Sequence, residues 1–305
     1  MDTKLSKKHL NRPQHKKASY WINKGVFDGL ITFSQLSERI NKLRAGKDRG
    51  DVFEIFIEAY LETQLINQCV EHWVVGNMPK WLLENFNLPL NDTGIDGVYK
   101  TFSGEFVAYQ VKYRRSQTLS FREVATFLSI SDEFEEKVIF STADTLRDIA
   151  GTRSRFVGGY QFRDLSSDAF AEIIAWLKQV PAPLNKLQPD PRFQVKALSD
   201  IATTFEKHTR AHVVMACGTG KTLVALWATE AMEPKKVLVL LPSLALLQQT
   251  LKMWCEQTSW ALQFSYICVC SDPTVNLEND EIYDEKNLSP FKVNTNPQNV
   301  RNFLD

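Results

Sequence analysis

Ala211-His212-Val213-Val214-Met215-Ala216-Cys217-Gly218-Thr219-Gly220-Lys221-Thr222 runs from a short apolar stretch through a glycine-bearing loop into the helix-like Leu223-Val224-Ala225-Leu226-Trp227-Ala228. That order predicts strand, loop, helix. Glycines at such a junction let backbone N–H groups turn inward at a helix N-terminus, where they cradle phosphate oxygens. Gly218, Thr219 and Gly220 form the predicted cradle. Lys221 would reach the outer phosphates of ATP, and the Thr222 hydroxyl would hold its Mg²⁺. The first glycine of the general GxxxxGK[ST] pattern is replaced here by Met215. Gln194 lies 27 residues before Lys221, in Pro191-Arg192-Phe193-Gln194, and its amide has the donor and acceptor needed to pair with the edge of adenine. Val237-Leu238-Val239-Leu240-Leu241 begins 16 residues after Lys221, reads as a second strand, and ends at Pro242-Ser243.

Outward from this loop, 305 residues predict about two domains at ~150 residues each. With 44% hydrophobic and 24% charged residues, the chain is neither disordered nor collagen-like. No apolar run approaches the ~18 residues of a membrane span. The start, Met1-Asp2-Thr3-Lys4, lacks the apolar core of a signal peptide, so a cytoplasmic protein without a membrane partner is expected. Five cysteines without a Cys-x-x-Cys pair give neither a disulfide framework nor a zinc knuckle. His9, His15, His72, His208 and His212 form no ligand spacing. The 36 basic and 36 acidic residues cancel, but residues 1–24 hold seven Lys/Arg against Asp2. That basic arm is either a DNA-phosphate contact or a solvated tail, and the tail is the simpler reading.

Four segments follow from composition and periodicity. Residues 1–45 are a basic arm and a helix, marked by Phe33, Leu36, Ile40 and Leu43 at helical spacing. Residues 46–180 alternate helix and strand. Residues 181–191 are proline-rich and read as a linker, and residues 192–305 begin with a helix and carry the phosphate cradle. Within 46–180, Phe53, Phe56, Ile57, Tyr60 and Leu61 predict one helix face. Strands are expected at 97–101 and 106–113 as a hairpin, then near 137–141 and 156–159. Helices are expected near 121–128 and 168–177. The pattern implies a mixed sheet with helices packed on it.

The hairpin carries the second constellation. Gly94-Ile95-Asp96-Gly97 places Asp96 at a strand start. Tyr109-Gln110-Val111-Lys112-Tyr113-Arg114 begins 13 residues later, and period-two alternation puts Gln110, Lys112 and Arg114 on one face. On the upstream helix Glu54 and Glu58 share a face, either being a candidate partner for Asp96. Phosphodiester cleavage needs hard oxygen ligands for Mg²⁺ and a cation for the charge gathering on the phosphoryl group. Asp96 and Glu54 are the candidate metal ligands, Gln110 a neutral neighbour, and Lys112 the cation. Asp51-Val52-Phe53-Glu54 also reads as a helix capping box, which by itself would account for Glu54.

Phe53-Glu54, Gly94-Ile95-Asp96-Gly97 and Gln110-Val111-Lys112 together resemble the PD-(D/E)xK nucleases, in particular the Mrr-like branch in which Gln replaces the middle acid. Ile95 stands where that pattern has Pro. The cradle with Phe193-Gln194 and Pro242-Ser243 resembles superfamily 2 helicases, which implies ATP, adenine reading by Gln194 and a DNA-backbone contact at Pro242-Ser243. The order of the two looks like the N-terminal part of Type ISP restriction enzymes. The resemblance implies an α/β fold: a restriction-endonuclease-like mixed sheet followed by a partial RecA-like P-loop lobe. It also implies double-stranded DNA as partner, Mg²⁺ and ATP as cofactors, and methyltransferase and target-recognition parts beyond residue 305. Asp284-Glu285 is the one acid pair placed for the second helicase carboxylate motif, and no apolar strand precedes it. The expectation is a fragment that does not translocate. The rival expectation is a helicase or translocase fragment whose N-terminal domain binds DNA without cutting it.

Overall fold

The computed structural model describes residues 12–88, 94–147, 154–183, 185–260, 264–269 and 296–304. It divides into two compact units, residues 1–184 with 267–303, and residues 185–266 with 304–305. Lys4, Lys7 and Lys8 of the basic arm, Cys270, and Asp284-Glu285 lie outside the described residues.

The first unit is built around a central helix. α1 (Ala18–Asn23) and α2 (Phe33–Asn41) lead into α3 (Gly46–Thr63). α2 begins at Thr32, whose hydroxyl accepts the Gln35 N–H while the Gln35 side chain accepts the Thr32 N–H, satisfying two otherwise orphaned donors. α3 begins five residues before Asp51, with Ala45 at its N-cap, so the capping-box reading of Asp51 and Glu54 gives way: both are interior helix residues. Arg49, in the first turns, donates instead to the carbonyls of Leu43 and Arg44. Phe53, Phe56 and Tyr60 of α3 meet Phe33 and Phe162 in an aromatic cluster with ring centroids 5.0–6.4 Å apart. Ala18, Trp21 and Phe27 join the same core. Ala18 and Trp21 are therefore packed and not part of a solvated tail, while Lys17 and Lys24 stay exposed.

β1 (Cys69–Val74) and α4 (Lys80–Asn85) precede the hairpin of β2 (Gly97–Thr101) and β3 (Phe106–Lys112). β4 (Thr118–Ser120), α5 (Ala125–Ile130), β5 (Glu136–Ser141), β6 (Thr145–Arg147) and β7 (Ser154–Val157) follow, then α6 (Gly159–Arg163) and α7 (Ser167–Lys178). The main sheet has the order β1-β2-β3-β5-β7, antiparallel from β1 to β3 and parallel from β3 to β7, while β4 and β6 pair separately. This is the mixed sheet expected. β3 is central and covered on both faces. Alternation sends Val107, Tyr109 and Val111 toward α3 and Ala108 toward Phe127 and Leu128 of α5. The helix expected at 121–128 is a 3₁₀ turn over Phe121–Glu123 followed by α5.

The second unit holds α8 (Gln194–Lys207), α9 (Lys221–Met232) and α10 (Leu244–Gln257); α11 (Pro297–Leu304) ends the described chain. The strands expected at 211–215 and 237–241 do not form ladders among the described residues. Val214, Leu238 and Leu240 are each more than 80% exposed. A parallel strand needs a paired edge and a helix layer on each face, and the described residues give these two stretches neither.

Candidate functional site

Asp96 sits one residue before β2, at the end of the loop that turns through Gly94. The first pair of the hairpin register is Gly97 with Tyr109, which brings Asp96 alongside Gln110. The Asp96 carboxylate accepts the Val111 N–H at 2.6 Å, and the Asp96 N–H donates to the Tyr109 carbonyl at 3.0 Å. Gln110 is buried; its amide N–H₂ donates to the Gly94 carbonyl, while its Oε1 has no hydrogen-bond partner among the described residues. An unsatisfied buried acceptor costs about 1–3 kcal/mol, so a buried carbonyl in that state beside a carboxylate is matched to a cation or an ordered water. Lys112, on the same face of β3, is half-buried, and its ammonium forms no ion pair among the described residues. Arg114 departs from the expected alternation: β3 ends at Lys112, and the guanidinium pairs with Glu123 at 2.5 Å.

Glu54 enters from α3, which packs on the Tyr109 face of the sheet. Both carboxylates act on the buried Tyr109 phenol: burial pushes it well above its ordinary range, and Glu58, Asp96, Cys69 and Glu54 push it further. Gly97 makes room for the ring, since a Cβ there would lie 2.2 Å from the Tyr109 hydroxyl oxygen. Of the two helix carboxylates, Glu58 is fully engaged. It accepts the main-chain N–H groups of Gln14 and His15 and faces His72 Nε2 at 3.3 Å. Glu54 is about one-third exposed and meets His15 Nε2 at 3.2 Å.

The sequence missed His15 and His72 because spacing along the chain does not show what meets through space. A usable signal was present. Asp51, Glu54, Glu58 and Glu62 recur every three or four residues, a carboxylate stripe on a helix whose C-terminal half is wholly buried. Such a stripe demands donors from elsewhere. His72 supplies two: its Nδ1 lies 2.6 Å from Glu62 and its Nε2 faces Glu58. Burial pushes the His72 pKa down, but the hydrogen bonds to Glu58 and Glu62 outweigh it and lift it to about 9. The ring is an imidazolium at neutral pH.

In the second unit, Gly218 and Gly220 both have φ of +77°, the left-handed backbone that glycine adopts without steric cost. Gly220 is constrained twice, because a Cβ would lie 2.5 Å from Gln194 Nε2. Gln194 is buried and ties the loop to the start of α8: its Nε2 donates to the Thr219 carbonyl at 2.9 Å and its Oε1 accepts the Asp190 N–H at 2.7 Å. The Lys221 ammonium donates to the carbonyls of Met215 and Ala216 at 3.2 and 2.9 Å. Thr222, next in α9, is held through its carbonyl by Trp254 Nε1 at 3.0 Å. Ser243 caps α10, accepting the Leu246 N–H.

The two constellations fall in two matched families. Residues 61–154, which include Asp96, Gln110 and Lys112, match a restriction endonuclease family, and residues 187–289 match the family of the Type III restriction enzyme res subunit. The chain thus carries a restriction-endonuclease domain followed by a helicase-like domain. Among solved structures it is similar to the ATP-dependent Type ISP restriction-modification enzyme LlaBIII bound to DNA, with a TM-score of 0.64 and 21% identity over 90% of this chain. The chain spans 17% of that enzyme's length. No curated protein matches it. No helix among the described residues is long and apolar enough to cross a membrane.

Proposed function

We propose that the first unit is a Mg²⁺-dependent endonuclease acting on double-stranded DNA, and that the second is the nucleotide-binding start of an ATP-driven DNA translocase. The observation that carries the nuclease reading is the hairpin register, which sets Asp96 beside Gln110, whose buried carbonyl oxygen has no partner among the described residues, with Lys112 two residues on along the same strand face. A buried acceptor lacking a donor fits an oxygen-seeking cation, so the residues present fit Mg²⁺. In this reading Asp96 and Glu54 hold the metal, and Gln110 adds a neutral oxygen. Glu54 is chosen over Glu58 because Glu58 is already saturated by Gln14, His15 and His72. Bound Mg²⁺ activates water and polarises the scissile phosphate. Lys112 stabilises the charge that gathers on the phosphoryl oxygens, and the Val111 N–H fixes the Asp96 carboxylate against rotation.

In the second unit Gly218, Thr219, Gly220, Lys221 and Thr222 receive the phosphates of ATP. Lys221 exchanges its loop carbonyls for phosphate oxygens, and Gln194 reads adenine by exchanging its bonds to Thr219 and Asp190. The likeness to an ATP-dependent restriction-modification enzyme bound to DNA supports DNA and ATP as the ligands of the two units.

Plasmid nicking tests the nuclease reading. Asp96→Asn and Lys112→Ala should each reduce Mg²⁺-dependent nicking by the full chain to background while circular dichroism and Tm stay near wild type. Nicking that survives both changes would overturn these residue assignments, and a wild-type chain that binds DNA but does not nick it would establish the rival, a unit that binds DNA without cutting it.

A further inference from the structure

Gln14 and His15 bind the carboxylate stripe of α3 through four separate contacts. Both main-chain N–H groups donate to Glu58, His15 at 3.1 Å. The Gln14 side chain spans β1, donating to the His72 carbonyl at 2.8 Å and accepting the Val74 N–H at 3.3 Å. The Gln14 carbonyl takes Asn77 Nδ2 at 3.3 Å, and the His15 carbonyl takes the Ala18 N–H that opens α1. This holds the His15 ring in one place. Its Nδ1 accepts the Lys17 N–H at 3.2 Å, and its Nε2 faces Glu54 Oε2 at 3.2 Å and Asp51 Oδ1 at 3.9 Å.

The Lys17 contact decides which nitrogen carries the proton. A neutral imidazole has one N–H and one lone pair. With the Nδ1 lone pair pointed at an N–H, the ring proton is on Nε2, and Nε2–H donates to Glu54. We infer that His15 is a positioning residue of the nuclease centre, holding the Glu54 carboxylate in the orientation the metal requires. This rests on the reading above in which Glu54 works with Asp96. A glutamate side chain has three rotatable bonds, and a ligand fixed before the metal arrives binds it more tightly than one that must be ordered.

The same three side chains also satisfy a simple distance criterion for a metal site of their own, with candidate ligand atoms of His15, Asp51 and Glu54 all within 4.8 Å of one another. The tautomer argues against it. Metal ligation needs a bare Nε2 and a proton on Nδ1, and a protonated Nδ1 would meet the Lys17 N–H head on.

Two measurements on the full chain test the inference. In the first, ¹⁵N shifts of the His15 ring should place the proton on Nε2, and Glu54→Gln should move the Nε2 signal. A lone pair on Nε2, or Zn²⁺ binding through it, would overturn the positioning role in favour of a separate metal site. In the second, His15→Ala should raise the Mg²⁺ concentration for half-maximal nicking by about tenfold, the usual scale for losing a group that orients a metal ligand, with KM for DNA and Tm little changed. His15→Gln, which keeps an N–H near the Nε2 position, should restore most of the loss. An unchanged Mg²⁺ dependence in His15→Ala, or no rescue by His15→Gln, would refute it. A wild-type chain that does not nick would be a failure of the nuclease reading. In that case the ring shifts and their response to Glu54→Gln still decide the His15–Glu54 bond without turnover.

Discussion

The placement of the residues proposed for the nuclease centre was legible to different degrees. Asp96, Gln110 and Lys112 follow from strand start and alternation, because period two fixes a side chain's face once the strand is known. Arg114 does not, because alternation ends where the ladder ends, and β3 stops at Lys112. Tyr109 was assigned to the opposite face, which is correct, but its burial within reach of both carboxylates' charge depends on packing that one strand's pattern does not contain. That packing makes Gly97 critical. Its backbone is ordinary extended strand, so what excludes a side chain is the Tyr109 hydroxyl 2.2 Å from the missing Cβ. Gly97→Ala should therefore push the ring off its seat and destabilise the unit by about 1–3 kcal/mol, the usual cost of overpacking a filled core. Urea denaturation reads that loss directly. Gly97→Ala combined with Tyr109→Leu should recover part of it, and equal losses with and without the truncated ring would point to the backbone instead.

At the scale of elements, α2, α3, α7, α8, α9 and the hairpin were readable because each carries a periodic apolar pattern, whereas α1, α4, α6, α10 and α11 were not expected. Nor was β1. Its pattern, Cys69-Val70-Glu71-His72-Trp73-Val74, buries residues irregularly around a register shift between Cys69 and Glu71, and it contains a histidine that reads as polar. His72 instead joins β1 to α3 by sitting between Glu58 and Glu62. The pH dependence follows from that position. An imidazole whose pKa rises from 6.5 to about 9 on folding holds its proton more tightly in the native state. The stability it contributes is complete below pH 6.5 and is lost as the pH climbs through about 9. Urea midpoints measured from pH 7 to 10 should fall with rising pH, and the fall should be shallower in a variant lacking the ring. His72→Ala itself leaves two buried carboxylates without their counter-ion, which should cost about 3–5 kcal/mol at neutral pH. A loss under about 1 kcal/mol would mean that water reaches Glu58 and Glu62 and that their burial is overstated.

For the whole molecule, the legible part is the division of chemistry. A carboxylate–lysine hairpin lies in one unit and the glycine loop proposed as a phosphate cradle in the other, each within its own matched family. The strands flanking the cradle were misread for a physical reason. Apolar composition at 211–215 and 237–241 gives strand propensity, but a ladder is a property of pairs, and one stretch of sequence does not supply its neighbour. The cradle itself does not depend on those ladders for its shape. Gln194 bonds Thr219 on one side and Asp190 on the other, and the left-handed Gly218 and Gly220 turn the loop into α9. ATP binding should thus be separable from cutting. Lys221→Ala removes the ammonium that exchanges Met215 and Ala216 for phosphate oxygens, so the affinity for ATP measured by calorimetry should drop. Gln194→Ala should lower it too, by freeing the loop at Thr219 as well as by removing an adenine contact. It should therefore weaken ADP most and inorganic triphosphate to a lesser degree, whereas a pure adenine contact would spare triphosphate. Neither change touches Asp96, Gln110 or Lys112, and Mg²⁺-dependent nicking in the absence of nucleotide should run at the wild-type rate in both. Loss of nicking in Lys221→Ala alone would show that the cradle's state reaches the nuclease centre, and the two chemistries would then have to be treated as one coupled machine.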